Sequence, residues 1–321
     1  MVTPYHGPAP LDGSRAFTAW NLDVPVLLGV ALVAALYIYG VRRLADRGTS
    51  WPVHRTVVFL VAGLGSIVIA TMSALGVYDR VLFWPNAVQN IVLLSVSPVL
   101  LGLGRPLELA GRCLPARPSW VARIGRVATF PMVTSLLGVV VLFTLYFTPY
   151  YAESLRHPAV HQLLRLELLV AGALFFWPML DDDALPSWCT HPIRVLIAGI
   201  DGLVDAIPGI VVMTGHSVIA AGYYRSVARD WGPSLAWDQT IGGGLMLTIA
   251  EAVGLPFLIA IVAAWARADD RAAVELDRRL DLQRMRHDAT LDDESATDRP
   301  WWEVDPGPLG DRIQPKGRRT S

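Results

Sequence analysis

Charged residues are scarce in this chain, where they make up 17% of 321 residues, against about 25% in ordinary soluble proteins. Lysine is almost absent, because Lys316 is the only one and arginine supplies the other basic side chains. The net charge of −1 at neutral pH excludes the strongly basic surface that nucleic-acid binding needs. We therefore predict no nucleic-acid partner.

Cysteine and the motifs of common enzymes are also missing or rare. Cys113 and Cys189 are the only cysteines, and both fall in loops predicted on the cytoplasmic side, where disulfides are rare. The chain has no phosphate-binding GxxxxGK[ST] loop, no GxSxG nucleophile turn and no HExxH zinc motif. It has no CxxC pair either, which removes the usual thiolate clasp for copper. These absences set several enzyme classes aside.

Hydrophobic sequence is abundant, at 53% of the residues. A helix needs about 20 apolar residues to cross a bilayer, and seven runs approach or exceed that length. We predict an all-α, polytopic membrane protein, a bundle of about seven transmembrane helices surrounded by the lipid bilayer. The runs cover residues 24–42, 56–76, 86–104, 130–149, 160–180, 193–222 and 239–266.

The arginines predict the orientation, since cytoplasmic loops of membrane proteins are rich in basic residues. Arginines concentrate after the first run and after the third, so we predict an N-terminus outside and a C-terminus in the cytoplasm. Residues 1–23 are then an extracytoplasmic segment and 24–266 the transmembrane domain. Leucine and valine among charged residues predict a cytoplasmic amphipathic helix over 267–288, and polar composition predicts a disordered tail over 289–321.

Five ionisable side chains lie inside three of the runs: Arg165, Glu167, Asp201, Asp205 and Glu251. A charge in hydrocarbon costs several kcal/mol unless it is paired, hydrated or bound to a metal. From the rise of a helix, the carboxylates of the last two runs lie about 12–18 Å from the start of their helices and can share a depth. One arginine cannot neutralise them all, so some must be protonated, bind a cation or face water. We predict a buried charge network.

The fifth run opens with two histidines. His157, His161 and Arg165 are four residues apart, so on a helix they form one stripe, and histidines at i and i+4 can ligate a single metal. Glu167 lies about 200° around the helix from Arg165, so each needs a partner from another helix. The histidine spacing also fits interfacial side chains that only form hydrogen bonds, and both interpretations stay open at this point.

Three segments together resemble the cytochrome c oxidase assembly proteins of the caa3-type CtaG family. They are His157-Pro158-x-x-His161, the run Leu-Phe-Phe-Trp-Pro at 174–178, and Asp238-Gln239-x-Ile241 followed by Gly242-Gly243-Gly244-Leu245-Met246. The resemblance implies a seven-helix protein of the bacterial plasma membrane that helps to insert copper into a haem-copper oxidase, with cytochrome c oxidase subunits as partners. Many such proteins occur in actinobacteria, which suits the arginine bias. We expect the glycine triplet itself to serve close helix packing.

At positions that match the family pattern, the resemblance implies copper ligands at His157, His161, Met213, Met246 and Glu251. Thioethers and imidazoles suit Cu(I), a soft ion. The chain departs from the pattern where the family usually has histidine, at Asn86, Asn90, Arg165, Glu167 and Asp205. We expect an ionic network to replace the lost histidines, with Arg165 bridging to a carboxylate of the sixth or seventh run.

Three functions remain open on the sequence. The first, which the resemblance implies, is an oxidase assembly factor that acts as a membrane chaperone and not as an enzyme, with copper as a potential ligand. The second is a proton- or ion-coupled transporter in which Asp201, Asp205 and Glu251 form the relay. The third is a metal-free membrane scaffold that binds another subunit. The oligomeric state is open as well.

Overall fold

The computed structural model describes residue 5 and residues 7–113, 130–180, 185 and 189–297, with the backbone alone at 131 and 286–297. Within these ranges the protein is helical and has no strand. The helices are α1 Arg15–Thr18, α2 Val24–Asp46, α3 Val53–Tyr78, α4 Phe83–Leu103, α5 Pro106–Cys113, α6 Pro131–Phe147, α7 Tyr150–Arg156, α8 Pro158–Leu180, α9 His191–Thr214, α10 Ala221–Ser226 and α11 Leu235–Thr297.

Six of these helices are long and apolar enough to cross a membrane, and the bent pair α6 and α7 brings the number to seven if it forms one span. The two helices of this pair meet at an angle of 71°, where Pro149 follows Phe147 and Thr148. The predicted all-α membrane bundle is thereby confirmed. The sixth span is shorter than predicted, because α9 ends at Thr214 rather than at residue 222, and Gly215 follows in an extended conformation.

The two ends of the bundle can be named by the residues of α2. At the Asp23 end lie the start of α2, the end of α3 and the starts of α4 and α8, joined by side-chain contacts described below. At the Asp46 end, the Tyr37 hydroxyl donates to the carbonyl oxygen of Gly104 over 2.8 Å and accepts from the Trp51 indole over 3.1 Å. The guanidinium of Arg55 binds Glu108 there at 2.9 Å.

A π-helical turn interrupts α4 at Val92–Val96. Pro98 follows it and has no N–H for the carbonyl of Leu94, so the regular hydrogen-bond ladder cannot continue there. Gly172 of α8 crosses at this point, and a Cβ on it would collide with the Leu94 carbonyl oxygen and lie 2.6 Å from Pro98. The π turn therefore lies where α4 and α8 are in backbone contact. It also changes the direction in which the side chains of the turn, including Ser95, leave the helix.

The glycine triplet packs two neighbouring helices against α11. A Cβ on Gly242 would lie 2.6 Å from the Phe83 ring, and one on Gly243 would lie 2.8 Å from the Gly209 carbonyl and closer still to the backbone of Met213. A Cβ on Gly244 would meet only the sulfur of Met213, at an ordinary 3.6 Å. The first two glycines thus permit the close contact of α11 with α4 and with α9. Small residues are enriched at helix contacts in membranes because they let the backbones approach closely.

The chain divides into two compact units, residues 1–262 and 263–321. In the second, the helical residues carry exposed apolar side chains at Val274, Leu276, Leu280, Leu282 and Met285. Helical structure reaches Thr297, beyond the predicted boundary at residue 288. The remainder of the predicted tail, 298–321, lies outside the described residues.

We predict that Gly243→Ala destabilises the protein by about 1–3 kcal/mol, the usual cost of overpacking, because its Cβ would meet backbone atoms that cannot rotate away. Gly244→Ala is the matched control and should leave the stability unchanged. Thermal unfolding of the two purified variants in detergent measures the difference. Equal melting temperatures would contradict the packing described for this triplet.

Candidate functional site

Arg165 lies at the centre of a buried polar cluster at the Asp23 end. Its Nε donates to Gln89 Oε1 over 3.0 Å, its Nη1 to Asp23 Oδ2 over 2.7 Å and its Nη2 to Asp79 Oδ2 over 2.9 Å. The side chains of Arg165 and Asp79 are 8% and 4% exposed. The planar guanidinium can donate several hydrogen bonds in different directions, and here each of its three nitrogens donates one.

His161 and two glutamines complete the cluster, which we call the Arg165 network. His161 Nε2 lies 2.9 Å from Asp79 Oδ2, and Gln162 Nε2 donates to Asp23 Oδ2 over 2.6 Å. Gln89 Nε2 donates to the Ala70 carbonyl over 2.8 Å. The members of the network are Asp23, Asp79, Gln89, His161, Gln162 and Arg165.

Local structure places each member of the network. His161, Gln162 and Arg165 belong to the first two turns of α8. Asp23 is the N-cap of α2, and its carboxylate also accepts from the backbone N–H of Val26. Asp79 directly follows α3. The network therefore joins α2, α3, α4 and α8 at one point.

The predicted partner of Arg165 was wrong. We expected a carboxylate of the sixth or seventh span, whereas Arg165 pairs with Asp23 and Asp79. Asp23 directly precedes the first apolar run and Asp79 lies shortly after the second, in segments that the sequence predicted as loops. The sequence around Asp23 contains one signal of a structural role, because an aspartate before an apolar run is a typical N-cap. The sequence around Asp79 contains no comparable signal.

His157 lies apart from the network. It precedes α8 with φ −111° and ψ 114°, so its side chain leaves the chain in a different direction from that of a helical residue. The imidazole is 64% exposed and lies 3.3 Å from Glu153. The predicted stripe therefore holds for His161 and Arg165 alone, and the two histidines are not a ligand pair.

The other predicted copper ligands lie on α9 and α11. Met213 lies in α9 against the glycine triplet, Met246 is a core residue at 2% exposure, and Glu251 lines a separate cavity. Among the residues that the structure describes, no three His, Cys, Asp or Glu side chains are close enough together to hold a metal ion. With His157 bound to Glu153 and His161 bound to Asp79, the two histidines supply no converging imidazole pair to a copper ion.

The remaining ionisable side chains of the predicted network divide between two places. Glu167 accepts a hydrogen bond from the Tyr150 hydroxyl over 2.9 Å, so it fastens α7 to α8. Asp201, Asp205 and Glu251 line one cavity of about 180 Å³ between α4, α8, α9 and α11, which we call the acidic cavity. The Ser135 hydroxyl of α6 donates to Asp201. The predicted charge network therefore consists of two clusters, one around Arg165 and one around these carboxylates.

Asp238 and Gln239 were not predicted to have a role of their own. Both carboxylate oxygens of Asp238 accept backbone hydrogen bonds at the start of α4, from Phe83 and Trp84, each over 3.0 Å. Gln239 accepts from the Ile219 N–H over 2.7 Å and donates to the Val212 carbonyl over 3.1 Å. These residues hold α4 and the segment after α9 against the start of α11, which explains the polar pair ahead of the glycines.

Asn86 and Asn90 occupy fully buried positions in α4. Asn90 Nδ2 donates to Asn86 Oδ1 over 2.8 Å and to the Tyr146 hydroxyl over 3.2 Å. Asn86 Nδ2 and Asn90 Oδ1 have no hydrogen-bond partner in the described part of the chain. The pair is a hydrogen-bonded contact between α4 and α6 and gives no imidazole donor.

We predict that Arg165→Met destabilises the protein by about 3–5 kcal/mol, the cost of removing one partner of a buried ion pair, because Asp23 and Asp79 would keep uncompensated charge. Arg156→Met is the matched control, since its ion pair with Glu153 is half-exposed and such pairs contribute little. Chemical unfolding of both variants measures the effect. Unchanged stability of Arg165→Met would disprove the structural role of the network.

Acid should weaken the same network through Asp23. Burial acts to raise the pKa of this carboxyl, but hydrogen bonds from Gln162 and the Val26 N–H, together with Arg165, hold the pKa below its ordinary value of 3.8. The unfolded chain then takes up a proton at a higher pH than the folded one, so Asp23 contributes stability above pH 3.8 that is lost as the pH falls below it.

We therefore expect the melting temperature of the wild type to fall more steeply in acid than that of Asp23→Asn. Asp46→Asn, an exposed carboxyl at the opposite end of α2, should retain the wild-type steepness. Melting curves recorded across the acidic range compare the three proteins. Parallel curves for wild type and Asp23→Asn would show that this carboxyl is not held in its ionised form.

Comparison with known proteins agrees with the family resemblance found in the sequence. Residues 35–268 match the family described as cytochrome c oxidase caa3 assembly factor (Caa3_CtaG). Uncharacterized proteins of Mycobacterium bovis and Mycobacterium tuberculosis are each 32% identical over 290 residues, which is 86% of this chain and 44% of the relative. A protein of Mycobacterium leprae is 29% identical over the same length. No solved structure matches the chain.

The chain spans less than half the length of these mycobacterial relatives. The family match covers most of this chain and includes the start of α8, the glycine triplet and the acidic cavity. The protein is therefore a multi-pass bacterial membrane protein, and it belongs to the caa3-type cytochrome c oxidase assembly factor family.

Proposed function

We propose that this protein assists the assembly of a haem-copper cytochrome c oxidase as a membrane scaffold, without a copper ion bound at the histidine end of the bundle. The assembly role is supported by the family match over residues 35–268. The scaffold role is supported by one observation above all, that the His161 imidazole is already bound to Asp79, which Arg165 also binds. The role is non-catalytic and requires contact with an oxidase subunit.

The chemistry of the Arg165 network opposes copper binding. Cu(I) needs two or more soft donors that converge, usually imidazole or thioether groups. His161 is the only such donor in the network, and the guanidinium that shares its carboxylate would repel a metal cation at this distance. The thioethers of Met213 and Met246 belong to α9 and α11, where they pack against the protein.

The network can do structurally what a metal would do. A metal ion joins ligands from several helices, and Arg165 likewise joins α8 to α2, α3 and α4 through charged hydrogen bonds. Such bonds are stronger than neutral ones and their geometry is directional. A scaffold built in this way keeps its shape when copper is scarce, which is the property that separates this proposal from a metallochaperone.

Copper stoichiometry tests the metal-free part of the proposal. The purified protein and His161→Ala are loaded with Cu(I) under anaerobic, reducing conditions, and bound copper is measured after removal of excess metal. We expect no copper above background in either protein, because the donors do not converge. One tightly bound copper that disappears in His161→Ala would overturn the proposal in favour of a metallochaperone.

Complementation tests the assembly part with the same variants. In a strain that lacks the gene, assembled cytochrome c oxidase should fall, and the wild-type and His161→Ala genes should restore it to similar levels if copper transfer through His161 is not needed. Arg165→Met should restore less, in proportion to its loss of folded protein. Normal oxidase levels in the deletion strain would contradict an assembly role for this chain.

A further inference from the structure

The acidic cavity contains more negative charge than its surroundings balance. Its volume of about 180 Å³ is bounded by Asp201, Asp205 and Glu251, by Ser95, and by apolar residues such as Phe175 and Phe257. No arginine, lysine or histidine is among the described residues that line it. The Arg165 network uses its only guanidinium at the Asp23 end, so it supplies no countercharge here.

Three polar side chains of the cavity have no protein partner. Asp201 accepts from Ser135, but Asp205 and Glu251 form no hydrogen bond or ion pair within the described part of the chain. Ser95 is 4% exposed, comes from the π-helical turn of α4, and its hydroxyl likewise has no partner there. Ser95 is buried, and buried polar groups are rarely left without partners, so its hydroxyl and the two half-buried carboxylates beside it point to a ligand in the cavity.

The available space identifies what kind of ligand fits. A water molecule occupies about 30 Å³ in the liquid, so the cavity holds roughly six. Carboxylates and a hydroxyl are hard oxygen donors, which suit protons and alkali cations and are poor ligands for Cu(I). The carboxylates do not converge enough to enclose a bare metal ion among the residues described, so contact with a cation must be shared with water.

We propose that the acidic cavity binds one monovalent cation, a proton or Na⁺, in a small cluster of water held by Asp205, Glu251, Asp201 and Ser95. The cation supplies the countercharge that the protein does not, and water satisfies the unpaired oxygens of Ser95 and Glu251. The site is independent of the scaffold proposal, since it lies on other helices and shares no residue with the Arg165 network.

Carbodiimide labelling of the purified full-length protein tests this site and distinguishes its two cations. Dicyclohexylcarbodiimide reaches carboxyl groups in apolar surroundings and adds to them only in their protonated form, and peptide mass spectrometry locates the adduct. We expect labelling at Asp205 or Glu251. If Na⁺ is the ligand, adding Na⁺ but not choline slows labelling at constant pH. If a proton is the ligand, labelling persists at neutral pH, where an ordinary carboxyl is ionised, and ignores Na⁺. Absence of adducts in the cavity, or labelling that ignores Na⁺ and is already lost at neutral pH, would overturn the proposal.

Two pairs of variants make the result specific to the cavity. Gly254 lines the cavity and a Cβ there meets nothing within 4 Å, so Gly254→Val should fill the space and abolish the Na⁺ protection or the labelling at neutral pH. Gly138→Val is its control, because the space at Gly138 in α6 is equally open but lies outside the cavity. An unchanged response in Gly254→Val would contradict binding in this space.

Ser95→Ala removes one ligand without changing the charge. It should weaken the cation's effect about threefold to tenfold, the usual contribution of one hydrogen bond. Glu167→Gln, a carboxylate bound to Tyr150 outside the cavity, should leave the labelling response unchanged. Size-exclusion chromatography of each variant confirms that it is folded before labelling. If Glu167→Gln changes the labelling response to the cation and Ser95→Ala does not, the cation binds elsewhere and the proposed site is wrong.

Discussion

The guanidinium of Arg165 is the constraint on which the arrangement of the helices depends. A buried arginine is stable only with its charge paired and its N–H groups bonded, and here the partners come from the N-cap of α2, the residue after α3 and a glutamine of α4. Those three elements must therefore meet at the start of α8. The first span, which has little other buried surface, depends on this contact for its position at the Asp23 end.

Close backbone contacts determine the rest of the architecture. Gly172 lets α8 touch α4 beside the π turn, and Gly243 lets α11 touch α9. Asp238 then binds the two first N–H groups of α4, which have no partner within the helix. With α4, α8, α9 and α11 held in this way, Ser95 and the carboxylates of the last two spans are brought to one cavity.

The two buried polar clusters differ in a way that suggests different purposes. In the Arg165 network, one guanidinium binds both aspartates and a glutamine, and among its described side chains a buried atom without a hydrogen-bond partner occurs at His161 Nδ1 alone; such mutual binding is what a structural element needs. In the acidic cavity, the carboxylates have neither a basic partner nor, for Asp205 and Glu251, a hydrogen bond within the described residues. Unmatched charge inside a membrane protein is typical of sites that exchange ions or protons, so the cavity is where reversible binding is expected.

Apolar runs and embedded charges were sufficient to predict the helical membrane bundle, because hydropathy is a local property that a single segment carries by itself. The need of Arg165 for a distant partner and the excess of acid near mid-depth followed from the same reasoning.

The identity of the partners of Arg165 did not follow from the sequence, since its pairing with Asp23 joins residues far apart in the chain and depends on how each helix is rotated. His157 shows the same limit: its spacing from His161 suggests one face of a helix, but α8 begins after His157 and its imidazole faces Glu153. Tertiary structure alone decided which polar groups meet, because helix start points, rotation and depth are set by packing between segments and not within them.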